Sequence, residues 1–230
     1  MRVSAPILLA AALALPAAWA DAQAQETALG RDPDIQEMVA SISQERIQKT
    51  IFVLASFKTR LTISDPLPSG DGIGGAAAWI RAEFERISKE NGGRLKVDLD
   101  TFDQPMAPPR IPRPIQITNV VATLPGTDTD SGRTLVVSGH YDSRASDMLD
   151  ETAAAPGADD DASGVSAVIE LARVMSHYRF RATIVFIAVA GEEQGLNGSS
   201  QWAREAKKRS ANIEAMFDND IIGSSRSEKG

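Results

Sequence analysis

Apolar side chains along this chain alternate between helical and extended spacing, and each change of period marks an element. Behind Asp32-Pro33, an N-cap residue followed by proline at the first helical position, Ile35, Met38, Val39 and Ile42 recur at i, i+3, i+4 and i+7 and predict an amphipathic helix. Residues 59–75, rich in Ser, Asp, Pro and Gly, read as a loop. Ala76, Trp79, Ile80, Phe84 and Ile87 then mark a second helix, stopped by Asn91-Gly92-Gly93. Leu95, Val97 and Leu99 alternate with polar residues as in a half-buried strand. A proline-rich crossing occupies 105–114, and 117–123 resumes as an apolar strand.

From residue 134 the pattern becomes a regular alternation: strand 134–138, a long loop, helix 163–178, strand 183–190, helix 199–208 and strand 213–217. This order predicts an α/β domain with parallel crossovers. The run 183–190 is continuously apolar, which suits a central strand covered by helices on both faces. No internal repeat or low-complexity tract interrupts it.

Composition narrows the chemistry. The 230 residues are 43% hydrophobic and 24% charged, an ordinary globular balance. With no cysteine, disulfides, thiolate zinc sites, iron–sulfur clusters and cysteine nucleophiles are excluded. A metal would be held by oxygen and imidazole, and with only His140 and His177 present, carboxylates must dominate its shell. The net charge of -7, without a long Lys/Arg cluster, argues against a nucleic-acid partner.

At the N-terminus, Arg2 precedes an apolar stretch, 7–19, that ends in small residues. This is a secretory signal pattern, with Ala18-Trp19-Ala20, Ala20-Asp21-Ala22 and Ala22-Gln23-Ala24 as adjacent cleavage choices. The stretch is shorter than the ~20 residues that span a bilayer. An uncleaved anchor is the competing reading, and the missing cysteine excludes a lipoprotein. The expected organisation is a signal peptide over 1–24, a linker over 25–33 and a catalytic domain over 34–230, secreted or periplasmic and without a stable membrane anchor after cleavage.

Ligands of open α/β sheets bind beyond the carboxyl ends of the strands, and here those loops are acidic. Gly139-His140-Tyr141-Asp142-Ser143, the run Asp159-Asp160-Asp161, Glu192-Glu193 and Asp218-Asn219-Asp220 each follow a predicted strand or precede a helix. Such convergence is electrostatically costly unless cations neutralise it. His140 and Asp142, two apart in extended chain, point the same way, so one can ligate while the other orients it. They can equally form a surface hydrogen-bonded pair. Asp161 and Ser163 can cap the following helix, but capping cannot employ all three aspartates. Glu192-Glu193 can supply a metal ligand and a general base, or can be a solvated turn. His177, fourteen residues after Ser163 along a helix, lies roughly 20 Å from the acids and is assigned a structural or surface role.

Taken in order, Ser138-Gly-His-Tyr-Asp-Ser143, Ala155-Pro-Gly-Ala-Asp-Asp-Asp-Ala-Ser-Gly164 and Ala190-Gly-Glu-Glu-Gln-Gly-Leu-Asn-Gly-Ser199 resemble the secreted zinc-dependent exopeptidases of the co-catalytic dizinc type. These are the family of bacterial leucyl aminopeptidases, aminopeptidase Y and glutamate carboxypeptidase. The resemblance implies a three-layer α/β/α fold with a mixed, mainly parallel central sheet. It implies that His140 and Asp220 bind one Zn2+, Asp160 bridges two, Glu193 binds the other, Glu192 is the general base and Asp142 positions His140. The implied reaction is hydrolysis of the N-terminal peptide bond of peptides with a free N-terminus, through a zinc-activated water.

One departure qualifies this. The family's second zinc takes a distal histidine well downstream of the element that appears here as Asp220-Ile-Ile-Gly223, and the chain stops seven residues after Gly223. One shell is complete and the other, Asp160 with Glu193, is deficient. The expectation is a partial catalytic domain of at most weak activity, with apolar sheet surface exposed. Two alternatives remain: a glutaminyl cyclase-like enzyme working with a single zinc, and a non-catalytic binding module on the same fold.

Overall fold

The computed structural model describes residues 32–224, so the proposed signal segment and most of the linker lie outside the described residues. The chain divides into two units, up to Ser41 and from Ile42 onward. The first contributes helix α1, Pro33–Ala40, capped by the Asp32 carboxylate through the Asp34 and Ile35 N–H groups. Its apolar stripe is not extended to Ile42 by the same helix. Ser41 closes α1, and Ser43 caps a new helix, α2, Gln44–Ser56, by accepting from the Arg46 N–H. Ile47, Ile51 and Leu54 carry the helical spacing of α2.

The second unit continues with helix α3, Ile73–Glu90, strand β1, Lys96–Gln104, and strand β2, Ile115–Leu124. Strand β3, Arg133–His140, helix α4, Ala162–Met175, strand β4, Thr183–Val189, helix α5, Asn197–Lys208, and strand β5, Asn212–Asp218, follow. The sheet order is β1-β2-β4-β3-β5. β3 pairs in parallel with β4 and with β5, as the alternation from 134 onward predicts, whereas β1–β2 and β2–β4 are antiparallel. The sheet is therefore mixed, with parallel pairing confined to its site-bearing half rather than dominating it.

β4 explains the three layers. Ile184, Phe186 and Ala188 face a large core shared with Ile80 and Phe84 of α3 and Val165, Val168 and Ala172 of α4. Val185, Ile187 and Val189 face the other way, against Val121 and Val136 and towards Trp202 of α5. A strand buried on both faces needs an unbroken apolar run, and this one has it.

The expected loop 59–75 is irregular up to Gly72, α3 already beginning at Ile73, and its first half is not a surface loop. Thr59, Arg60, Leu61, Thr62, Ile63 and Ser64 are all buried. A buried loop needs partners for its backbone, and this one exchanges hydrogen bonds with the chain after β3: Arg60 N–H to Ser143 Oγ at 3.2 Å, Ser143 N–H to Arg60 C=O at 3.2 Å, and Ala155 N–H to Lys58 C=O at 2.9 Å. The Arg60 guanidinium, 0% exposed, donates to four carbonyls: Tyr141 from Nε at 2.7 Å, Leu54 and Pro156 from Nη1 at 2.7 Å, and Gly157 from Nη2 at 2.9 Å. Burial lowers its pKa to about 10, against the opposing charges of Asp142, Asp161 and Asp160.

Arg60→Ala would leave those acceptors unsatisfied around a cavity. We expect a loss of about 3 kcal/mol or more of unfolding free energy in urea titrations, and a loss below about 1 kcal/mol would show that water replaces the guanidinium readily.

Candidate metal and catalytic site

β3 delivers its residues to the rim because its last turn packs closely on the start of α4. A Cβ on Gly139 would meet the Gly164 backbone, and one on Gly164 would collide with the Asn219 carbonyl and the Asp161 carboxylate. Glycine at both positions lets three chain segments approach: the end of β3, the N-terminus of α4 and the turn after β5.

The three consecutive aspartates divide their work. Asp161, 0% exposed, caps α4 through Gly164 N–H at 2.8 Å and accepts from the His140 N–H at 3.0 Å. Asp159 accepts from the Gly223 N–H at 2.9 Å and so holds the turn that follows β5. Asp160 extends into the rim, where its Oδ1 lies 3.0 Å from His140 Nε2. Asp220 Oδ1 is 3.6 Å from the same nitrogen. His140, Asp160 and Asp220 thus offer three ligand atoms within 4.8 Å of one another, the one such group among the described residues. An imidazole nitrogen with two carboxylate oxygens is a borderline donor set that fits zinc.

Asp142 lies beneath this group and is fully buried. Its carboxylate accepts from Thr62 Oγ1 at 2.9 Å, Glu192 N–H at 3.3 Å and Glu193 N–H at 3.1 Å, and its Oδ1 stands 3.5 Å from His140 Nδ1. The same ring nitrogen is 3.1 Å from the Asp142 carbonyl. Asp142 therefore orients the ring from one side and fixes the backbone of the acid pair from the other.

Glu192 makes no side-chain hydrogen bond among the described residues and lines a groove of about 390 Å³ with His140, Leu196 and Trp202. Burial raises its pKa, His140 opposes the rise, and Asp142, Glu193 and Asp220 add to it. Glu193 behaves differently. Its carboxylate, with 11% of the side chain exposed, accepts from Arg144 Nε at 2.6 Å and does not join the His140 group. Burial raises its pKa too, against that hydrogen bond. His177 is exposed beyond the end of α4. Sequence reasoning missed Arg60, Thr62 and Arg144, which carry no motif. The alternation Leu61-Thr62-Ile63 was the one available sign that the loop is buried.

The sheet order and the acid-lined rim define an α/β fold of the zinc-exopeptidase type. Residues 119–230 match the model of peptidase family M28. A probable zinc metalloprotease of Leptosphaeria maculans is 46% identical over 199 residues, covering 86% of this chain and 46% of that protein. Among solved structures, the LapA aminopeptidase of Legionella pneumophila is similar with a TM-score of 0.62 at 24% identity, covering 83% of this chain and 45% of that one. A glutaminyl cyclase of Bacteroides thetaiotaomicron is similar with a TM-score of 0.64 at 17% identity, covering 81% and 64%. At such identities the structural likeness concerns the fold. The chain spans less than half the length of the curated relatives it matches.

The His140 ring carries the pH dependence. Burial disfavours its charged form, but the hydrogen bond and charge of Asp142, with Asp161 and Glu192, outweigh burial and push its pKa from 6.5 up to about 10. A raised folded-state pKa stabilises the metal-free protein fully below about 6.5, and that contribution fades as the pH rises through about 10. A charged ring has no lone pair for a metal, so binding must expel a proton. We expect thermal stability of the metal-free protein to fall over this interval. We also expect zinc titrations in buffers of different ionisation heat to report about one proton released near neutral pH, and zinc affinity that is flat between about pH 6 and 8 would contradict the assignment.

Proposed function

We propose that this chain carries the reaction centre of a zinc-dependent aminopeptidase, which hydrolyses the N-terminal peptide bond of peptides. The observation that supports it most is the Glu192 carboxylate, without a hydrogen-bond partner among the described residues, beside the group formed by His140, Asp160 and Asp220 and with its backbone held by Asp142. In this reading His140, Asp160 and Asp220 hold one zinc. A second ion, for two per complete domain, would be held by Asp160 and Glu193. Zinc bound there supplies a Lewis acid that polarises a carbonyl and lowers the pKa of water.

The side chains do the remainder. Glu192, whose burial raises its proton affinity, takes the proton of the attacking water and passes it to the leaving amine. Asp142 keeps His140 turned towards Asp160 and fixes the distance of Glu192 from both through its N–H. Peptides with a free N-terminus are the proposed substrates, a reading supported by the aminopeptidase named among the structural neighbours. Residues 1–24 are proposed to direct the chain to the periplasm or the exterior, and no helix among the described residues is long and apolar enough to cross a membrane.

The test is release of an amino acid from an aminoacyl amide by the purified chain supplied with zinc. Chelator should abolish it, and Glu192→Gln should lower it by about a hundredfold or more while zinc binding persists. An unaffected Glu192→Gln enzyme would refute the role of the base. Pyroglutamate formation from an N-terminal glutamine peptide would instead identify a cyclase, and zinc binding without either reaction a non-catalytic module.

A further inference from the structure

The two acid groups of the rim differ in how they are neutralised. Among the described residues no lysine or arginine contacts Asp160 or Asp220, whose carboxylates gather at His140. Glu193 already has a cation: Arg144 Nε lies 2.6 Å from its Oε2, and this is the one hydrogen bond of the Arg144 side chain among the described residues.

The backbones on either side are held. Glu193 N–H is bound by Asp142 at 3.1 Å and its carbonyl by Arg110 Nη1 at 2.7 Å. Ser143, just before Arg144, is fixed through Arg60 at 3.2 Å and through Ala155, whose carbonyl accepts from Ser143 Oγ at 2.7 Å. What can move is the Arg144 side chain itself, 41% exposed and tied at one point.

We propose that Arg144 is a built-in counter-ion that competes with a metal for Glu193. The inference rests on the reading of His140, Asp160 and Asp220 as the first metal site. A first divalent cation enters that site at the expense of the His140 proton but, among the described residues, without displacing an arginine or lysine. A second must share the Glu193 carboxylate with Arg144, whose Nε already holds Oε2, and binds at full strength only after Arg144 has swung out. Arg144 thereby sets the order of loading and weakens the second ion, and it acts on the metal through Glu193 as a positioning residue.

The experiment is calorimetric titration of the metal-free full chain with zinc chloride, with no activity readout. Wild type should show one tight binding event and a weaker second. Arg144→Gln should tighten the second about three- to tenfold and leave the first unchanged, whereas Arg144→Lys, which keeps the charge, should stay close to wild type. Adding Glu193→Gln to Arg144→Gln should remove the gain. Equal second-site affinity in wild type and Arg144→Gln, or a gain that survives Glu193→Gln, overturns the proposal while leaving the first site standing. Absence of any zinc binding overturns the metal-site reading and this proposal with it.

Discussion

The carboxylate of Asp142 has no access to water, and much of the rim is arranged to satisfy it. Burying an unpaired carboxylate is prohibitive, so each acceptor position must meet a donor or a nearby positive charge. Thr62 supplies a hydroxyl, the Glu192-Glu193 turn supplies two N–H groups and His140 supplies a ring that holds its proton strongly. These donors come from three separate stretches of chain, so satisfying one charge draws together the buried loop, the end of β3 and the turn after β4. The same contacts aim His140 and Glu192. Arg60 completes the balance without touching an acid: its guanidinium is spent on carbonyls, while Asp142 is the strongest of the charges that keep it ionised in the interior.

The run Asp159-Asp160-Asp161 shows why a cluster in sequence need not be a cluster in space. Each residue answers a different need. Asp161 satisfies N–H groups that the start of α4 and the end of β3 would otherwise leave open. Asp159 secures the turn beyond β5, and only Asp160 projects its charge at His140. Replacing either neighbour would therefore disturb the ligand group through the backbone, since Asp159 and Asp161 fix the segments that carry Asp220 and His140.

Much of this was legible in the sequence, for stated reasons. The unbroken apolar run of β4 announced a strand covered on both faces, and the loops at the strand ends announced the rim, because those properties follow from local pattern. The break after Ala40 was not legible, since Ile42 continues the helical spacing across two serines and only the caps reveal two helices. Nor was Arg60: an arginine in a segment rich in turn residues reads as solvent-exposed, and its burial depends on carbonyls 81 to 97 residues away in the chain. Glu193 marks the same limit from the other side. Its place in the motif is local information, but its partner Arg144 belongs to another loop, and no local pattern links the two.

The strand that leads to Asp220 lies at a sheet edge among the described residues. Among the described residues β5 pairs along one edge, with β3, and Met216 and Phe217 are 49% and 59% exposed. The apolar face beneath it is the smaller of the two cores. What holds its end is polar: Asn219 donates to the Ser138 carbonyl from its N–H at 2.9 Å and from Nδ2 at 3.0 Å, Asp218 bonds the Ser138 hydroxyl, and Ile222 N–H reaches Ser163 Oγ at 3.1 Å. Elements with little buried apolar contact open at low free energy. A cation shared by His140, Asp160 and Asp220 would cross-link β3, the α4 entry loop and the end of β5, and a ligand that binds only the assembled state stabilises that state by mass action. On the proposed assignment, metal binding and the ordering of β5 would for that reason be one equilibrium, since the third ligand stands at the rim only where Asn219 and Asp159 hold the turn.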